Sequence, residues 1–279
     1  MTGRTEGVGR NAGLTSHGNA CSATYPWAII LLLIFLSLAA VQLAQSADKT
    51  PEAIASAARG SSPAILVGFV GGFVRPDDVR HAEVQLAQKL RAAYADRLHS
   101  QVFDNHHRKD AHRAILQWLD ADADGELSEA EKSASRIILY GHSWGAAAAI
   151  SLARELQRED IPVLLTIQVD SITKIGQNDR VVPANVAKAV NFYQTRGLLH
   201  GQSRIVAADP TRTEILGAFH LEYKQLPPEC RAYPWLDRHL FKGHTAIECD
   251  PRVWSQIGDL IDTCLSSGNQ QLAGAAALR

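Results

Sequence analysis

The sequence predicts an α/β fold, with a mostly parallel sheet that is covered by helices on both faces. Three observations support this class. Short apolar runs with the character of buried strands alternate with longer segments that have a helical apolar period. Such alternation is typical of parallel β-α-β units. The composition, with 46% apolar and 20% charged residues, is ordinary for a globular protein with a full core.

The first half of the predicted domain alternates regularly. Residues 64–70 are an apolar run that ends at Gly71 and Gly72, which indicates a buried strand. Residues 79–94 carry apolar side chains at helical spacing and predict an amphipathic helix. The elements predicted in this half are strands at 64–70, 98–103 and 136–140 and helices at 79–94, 109–119 and 146–156.

The second half continues the pattern. Residues 163–169, which are apolar except for Thr166 and Gln168, predict a strand. Residues 183–195 predict a helix, because Pro183 stands near its start, where helices favour proline. The remaining predicted elements are strands at 203–207 and 218–223 and a last helix at 253–265.

Residues 27–41 form an apolar run without a charge. Its length fits the core of a signal peptide, with small residues placed for cleavage after Ser46. Extended to residue 43, the same run would instead be an uncleaved signal anchor, so that residues 27–43 hold the chain in a membrane. Both interpretations predict an exported protein, which is either membrane-anchored or secreted or periplasmic.

These features divide the chain into four predicted regions: a leader at 1–47, a linker at 48–62, an α/β domain at 63–265 and a flexible tail at 266–279. The formal net charge is only −1, and no basic stripe is visible. Nucleic-acid binders usually carry a basic patch or stripe, so we expect no nucleic-acid partner.

The chain contains four cysteines, and Cys21 lies in the predicted leader. Cleavage would leave Cys230, Cys249 and Cys264. An exported domain permits a disulfide, but the sequence leaves the pairing open. A bridge between Cys230 and Cys249 would close a loop around His244.

The main chemical signal is the pentapeptide GHSWG at residues 141–145, which lies between a predicted strand and a predicted helix. A sharp turn there would display the Ser143 hydroxyl for nucleophilic attack, and flanking small residues would keep the turn free of clashes. The N–H of Trp144, at the start of the helix, would bind the developing oxyanion. A second donor is expected after the first strand, at Phe73 or Gly72.

A serine nucleophile needs a base, and His244 is predicted for this role because it lies in a glycine-marked loop before the last helix. His220 lies in a strand-like run and His239 in a helical stretch, so both are expected to be structural. Two carboxylates compete as the acid. Asp170 follows a strand, at the edge where the site crevice lies, whereas Asp179 would equally cap the next helix. We favour Asp170, which would orient His244 and stabilise its imidazolium form.

On these features the chain resembles the α/β-hydrolase superfamily, especially its lipase- and esterase-like members, over roughly residues 63–265. The resemblance implies an acyl-enzyme on Ser143, hydrolysis of small-molecule or lipid esters, and no cofactor for catalysis. The chain is compact and has no long insertion for a cap domain; residues 226–240 offer the obvious material for a small lid. Thioester hydrolysis and acyl transfer on the same fold stay open as alternatives.

Residues 120–131 match the twelve-residue calcium loop of EF-hands at each key place. The predicted ligands are Asp120, Asp122, Asp124, the Glu126 carbonyl and bidentate Glu131. The segment after this loop is short, and no second loop is present to pair with it. We expect a structural Ca²⁺ that pins the connection leading to the GHSWG turn. The rival to an enzyme is therefore an exported, non-catalytic calcium-binding module.

Overall fold

The computed structural model describes residues 63–277, and it describes side chains for residues 63–266. The predicted leader at 1–47, with its apolar run at 27–43, and the predicted linker at 48–62 lie outside the described residues. Within residues 63–277, no helix is both long and apolar enough to cross a membrane.

The strands are β1 (Ala64–Val70), β2 (Leu98–Asp104), β3 (Ile137–His142), β4 (Val163–Val169), β5 (Val181–Val182), β6 (Val186–Tyr193), β7 (Val206–Ala207) and β8 (Glu214–His220). A six-stranded sheet has the order β2-β1-β3-β4-β6-β8, and each neighbouring pair is parallel. The short strands β5 and β7 pair with each other outside this sheet. The predicted α/β class with a mostly parallel sheet is confirmed.

The helices are α1 (Ala82–Tyr94), α2 (Arg108–Leu119), α3 (Glu129–Ser133), α4 (Trp144–Gln157), α5 (Trp235–Leu240), α6 (Lys242–Cys249) and α7 (Pro251–Ala277). Short 3₁₀ turns occupy Ala95–Arg97 and Pro228–Ala232. Helix α1 packs against α7, and α2 packs against α4. These two pairs belong to the two core layers on opposite faces of the sheet.

Alternate residues of the central strand β3 face different core layers, as the pleat requires. On β3, Ile138 and Tyr140 lie in the core layer that also contains Trp254 of α7. Ile137 and Leu139 lie in the layer formed with α2 and α4. All four β3 side chains are wholly buried. Burial on both faces explains why the central strands β1 and β3 are mainly continuous apolar runs rather than alternating ones.

The strand order changes direction at β1. The chain runs from β1 outward to β2 and then returns to β3 on the other side of β1. In open α/β sheets, ligands bind beyond the carboxyl ends of the strands at such a switch point. The loops after β1 and β3 meet there, since a Cβ atom added to Gly71 would lie 2.8 Å from the Cβ of Ser143.

The helix predicted at 183–195 is wrong, because this segment forms strand β6. Val186 faces one core layer and Val190 the other, and both side chains are wholly buried. Apolar residues here fit a helical period as well, but valine and aromatic residues suit a strand that is buried on both faces. β4 and β8 pair with its two edges, and this tertiary context overrides the helix-start signal of Pro183.

Other element boundaries also differ from the sequence predictions. Only the two residues of β7 are extended within the strand predicted at 203–207, and β8 begins before the strand predicted at 218–223. The last helix begins at Pro251 and remains helical to Ala277, through the segment where the sequence predicts a flexible tail. Alanine, leucine and glutamine are frequent there, and all three favour a helix.

Candidate active site

Ser143 lies in a sharp turn between β3 and α4. Its backbone has φ 58° and ψ −127°, a conformation that residues other than glycine rarely adopt. Close packing holds the turn in place, because a Cβ atom on Gly145 would lie 2.2 Å from the carbonyl oxygen of Phe69 on β1. The GHSWG segment therefore has the strand–turn–helix setting that displays a nucleophile.

The two predicted oxyanion donors border this turn. Trp144 is the first residue of α4, so its N–H has no acceptor within the helix. Phe73 lies two residues after Gly71, which packs against Ser143. The Phe73 ring contacts the Trp144 ring edge-on, with the ring centroids 5.9 Å apart. The loop after β1 thus lies beside the nucleophile, as a second donor would require.

His244 and Asp170 form a buried pair. His244 Nδ1 lies 2.7 Å from Asp170 Oδ2, although the two residues are far apart in the sequence. The predicted loop around His244 is wrong, because the histidine lies on helix α6. Asp170 directly follows β4 with a φ of 43°. The positive φ lets the carboxylate turn back from the strand end toward α6.

Asp170 is held by more than His244. Its Oδ1 accepts hydrogen bonds from the Gly201 N–H at 2.6 Å and the Gln194 N–H at 3.3 Å. Its Oδ2 also accepts from Gln194 Nε2 at 2.8 Å. Burial alone would raise the pKa of Asp170, but the hydrogen bonds and charge of His244 and the Gln194 bond outweigh it. The pKa therefore lies below its ordinary value, and the carboxylate is ionised at neutral pH.

The competing carboxylate, Asp179, has different partners. Its oxygens accept hydrogen bonds from Ser171 Oγ, from Thr173 Oγ1 at 2.5 Å and from Gln202 Nε2 at 2.6 Å. These contacts tie together the loops that follow β4 and β6. In the structure, Asp179 is thus a buried structural anchor for these loops.

The two other candidate histidines lie elsewhere. His220 ends β8, is exposed, and contacts Thr195 Oγ1 at 3.1 Å. His239 lies on α5, and its Nδ1 contacts the carbonyl of Trp235 at 2.8 Å. Neither shares a contact with Asp170, so His244 alone among the three predicted candidates is placed beside the acid.

A cavity of about 610 Å³ opens between Ser143 and His244. Its walls are mainly apolar and include Phe73, Ile172 and Leu199. Among the described residues, the Ser143 hydroxyl has no hydrogen-bond partner. Catalytic serine–histidine contacts are often long until substrate binds, so the arrangement is compatible with a resting triad.

The predicted lid, residues 226–240, forms part of this cavity. Tyr233 and Asp237 line it, together with Phe241 just beyond α5. A disulfide joins Cys230 of this segment to Cys249 at the end of α6, with the Cα atoms 5.3 Å apart. The loop that this disulfide closes therefore contains His244. The Cys230–Cys249 bridge is one of the pairings that the sequence leaves open.

Reduction of this disulfide is expected to lower the free energy of unfolding by about 3 kcal/mol, the chain-entropy value for the 19-residue separation of its cysteines. Urea denaturation with and without dithiothreitol measures the change. The Cys230→Ser variant should be insensitive to dithiothreitol, whereas Cys264→Ser should respond like the natural chain. An unchanged midpoint for the reduced natural chain would contradict the prediction.

In the acidic loop of residues 120–131, only three of the five predicted calcium ligands have their ligand oxygens grouped together. Ligand oxygens of Asp120, Asp122 and Glu131 lie within 4.8 Å of one another. Asp124 instead accepts a hydrogen bond from the Glu126 N–H at 2.8 Å. The Glu131 carboxylate also completes a capping box at the start of α3, a helix of five residues. Calcium binding here stays a prediction.

Sequence reasoning missed several polar residues around the site. Gln194 and Gly201, which hold Asp170, come from loops whose approach depends on the unpredicted strand β6. His81, Glu83 and Glu248 are buried beside His142. A usable signal was Glu248, which stands one helical turn after His244 and therefore lies on the same side of α6.

Comparisons with known proteins leave the family open. No protein-family model matches the chain, and no curated protein matches it. One solved structure that is similar is described as a "putative yden-like hydrolase" from Pectobacterium atrosepticum. It is 14% identical, with a TM-score of 0.32, and the match covers 60% of this chain and 81% of that chain. A likeness this distant says nothing about the chemistry of the site.

Proposed function

We propose that the protein is an exported serine hydrolase that cleaves carboxylic esters through an acyl-enzyme on Ser143. The observation that carries the proposal is the buried pair of His244 and Asp170, because His244 lines the same cavity as a serine in a strained strand-to-helix turn. Perturbed and paired titratable groups in a cleft are typical of catalytic sites. Export, with residues 27–43 as signal core or anchor, belongs to the same proposal.

The proposed reaction has two halves and uses no cofactor. Ser143 Oγ attacks the ester carbonyl carbon while His244 Nε2 accepts its proton, and Asp170 stabilises the resulting imidazolium. The N–H groups of Trp144 and Phe73 donate to the oxyanion. Collapse of the tetrahedral intermediate expels the alcohol, which takes the proton from His244. Water, activated by His244, then releases the acid and restores Ser143.

The cavity walls favour a substrate with an apolar acyl or alkyl group. Phe73, Ile172 and Leu199 offer apolar contact near the nucleophile, and Phe73 is 88% exposed at the entrance. A bound small-molecule or lipid ester would exclude water from this apolar surface. The same geometry would stabilise the oxyanion of a thioester, so thioester hydrolysis and acyl transfer are the alternatives.

A fluorophosphonate probe tests the chemistry directly. The folded chain should form a covalent adduct, and mass spectrometry should place the adduct on the peptide that contains Ser143. Heat-denatured protein is the control, since labelling requires the assembled site. Absence of labelling in folded protein would favour the non-catalytic module instead. p-Nitrophenyl esters and acyl thioesters of increasing chain length would then distinguish the substrate classes.

We also propose that the loop of residues 120–131 binds a structural Ca²⁺, with Asp120, Asp122, Asp124, Glu126 and Glu131 as ligands. Three carboxylates and one carbonyl supply the oxygen ligands that Ca²⁺ prefers. Added calcium is expected to raise the melting temperature of chelator-treated protein. The Asp122→Asn variant should respond at higher calcium concentrations, whereas Asp77→Asn, on an exposed turn, should respond like the natural chain. No thermal shift at millimolar calcium would contradict this proposal.

A further inference from the structure

Four buried polar side chains converge beside the triad. His81 Nδ1 contacts Glu248 Oε1. His142 Nδ1 lies 3.4 Å from Glu248 Oε2 and 4.0 Å from Glu83 Oε1. The proposed hydrolysis uses none of these groups. We refer to His81, Glu83, His142 and Glu248 as the His-Glu cluster.

Two members of the His-Glu cluster lack hydrogen-bond partners. Glu83 is 0% exposed, and neither of its carboxylate oxygens has a partner within the described part of the chain. Nε2 of His142 is also buried without one. Buried polar groups are almost always satisfied, and an isolated buried carboxylate is very costly. Something beyond the described atoms should therefore contact the Glu83 carboxylate.

The charge balance indicates a cation. Glu83 and Glu248 are both buried, and the ion-pair partners described for them are imidazoles. An imidazole can offer a ring-nitrogen lone pair to a cation, so the two histidines can coordinate an ion as well as pair with the carboxylates.

We propose that the His-Glu cluster binds a single divalent transition-metal ion of the Zn²⁺ class. Ligand atoms of His81, Glu83 and Glu248 all lie within 4.8 Å of one another. His142 Nδ1, which lies 3.4 Å from Glu248 Oε2 and 4.0 Å from Glu83 Oε1, would supply the fourth ligand. Two imidazoles and two carboxylates form a closed tetrahedral set that suits Zn²⁺. The two carboxylates also balance the charge of the ion, which makes the buried site neutral.

The positions of the ligands indicate a structural role. His81 and Glu83 stand at the start of α1, Glu248 lies on α6 one turn after His244, and His142 ends β3 next to Ser143. An ion here would join three elements that meet at the site. It would fix the helix that carries His244 without taking part in ester chemistry. This inference does not depend on the proposed hydrolase activity.

Metal analysis of the purified full-length chain is the first test. Protein that has been stripped with chelator and incubated with Zn²⁺ should retain a single Zn²⁺ per chain after desalting. Its melting temperature should also rise, since an ion that binds only the folded state stabilises it. Substitution by Co²⁺ should give visible absorption bands. A natural chain that is folded by circular dichroism, retains only traces of transition metal and shows no thermal shift would overturn the proposal.

Variants separate this site from the acidic loop. Glu83→Gln and Glu248→Gln should weaken Zn²⁺ binding by at least about 100-fold, because even partners outside the ligand shell cost 10–100-fold. Asp122→Asn, in the loop of residues 120–131, should retain Zn²⁺ fully. Equal Zn²⁺ retention by a folded Glu83→Gln chain and the natural chain would show that the ion binds elsewhere, and this would also overturn the proposal.

Discussion

Replacement of Ser143 by alanine is expected to lower kcat for ester hydrolysis by a factor on the order of 10⁴ to 10⁶, the range typical of triad nucleophiles. Tyr233 and Thr245 also line the cavity and carry hydroxyls, but neither lies in the turn between β3 and α4, so neither is expected to replace Ser143 as the nucleophile. Steady-state hydrolysis of a p-nitrophenyl ester measures the change. Fluorophosphonate labelling should disappear in the same variant.

A matched serine on the same helix provides the control. Ser151 lies on α4, where its hydroxyl donates to the Ala147 carbonyl at 2.9 Å. Ser151→Ala should keep both kcat and labelling close to those of the natural chain. Ser143→Ala should also keep its melting temperature, because alanine retains the backbone and the Cβ contact with Gly71. If Ser143→Ala remains active while folded, the acyl-enzyme proposal is wrong.

The turn around Ser143 could be predicted from sequence because its causes are local. Strand, turn and helix are contiguous in the chain, and the apolar run before GHSWG marks the strand without any long-range information. The strands at residues 64–70 and 163–169 match their predicted limits for the same reason. The first contains Gly68 and the second contains Thr166 and Gln168, but both are otherwise apolar and almost wholly buried.

Strand β6 could not be predicted in this way, because its pattern of apolar residues fits two periods. The helix-like spacing and Pro183 favour one interpretation, and only pairing with β4 and β8 decides for the other. The wrong helix prediction at 183–195 also affects the predicted active site. Gln194, directly after β6, is one of the residues that hold Asp170, so a sequence model without this strand leaves the acid without its supports.

Other contacts in the site could not be predicted because they join residues that are far apart in the sequence. His244 and Asp170 are 74 positions apart, and His81 and Glu248 are 167 positions apart. No local pattern reports which carboxylate a distant histidine meets. The His-Glu cluster as a whole could therefore not be predicted from the sequence, because its members come from the start of one helix, the end of a strand and the end of another helix.

The choice between Asp170 and Asp179 yields the second large prediction. Asp170→Asn is expected to lower kcat on the order of 10⁴-fold, the effect of removing the charge that orients and stabilises a triad histidine. Asp179→Asn makes the same chemical change, from carboxylate to amide, at a residue that does not contact His244. We expect it to lower the free energy of unfolding by about 1–3 kcal/mol, since it weakens charge-assisted hydrogen bonds, while kcat stays close to the natural value.

The pH dependence of stability adds a readout that a general loss of folding would not reproduce. The folded pKa of Asp170 is lowered from its ordinary value of 3.8. Its stabilising contribution is therefore present above that value and is lost as the pH falls through the lowered pKa. The difference in unfolding free energy between the natural chain and Asp170→Asn should accordingly narrow in acid. If Asp179→Asn instead abolishes kcat and Asp170→Asn does not, the His244–Asp170 pair is structural and the catalytic acid is Asp179.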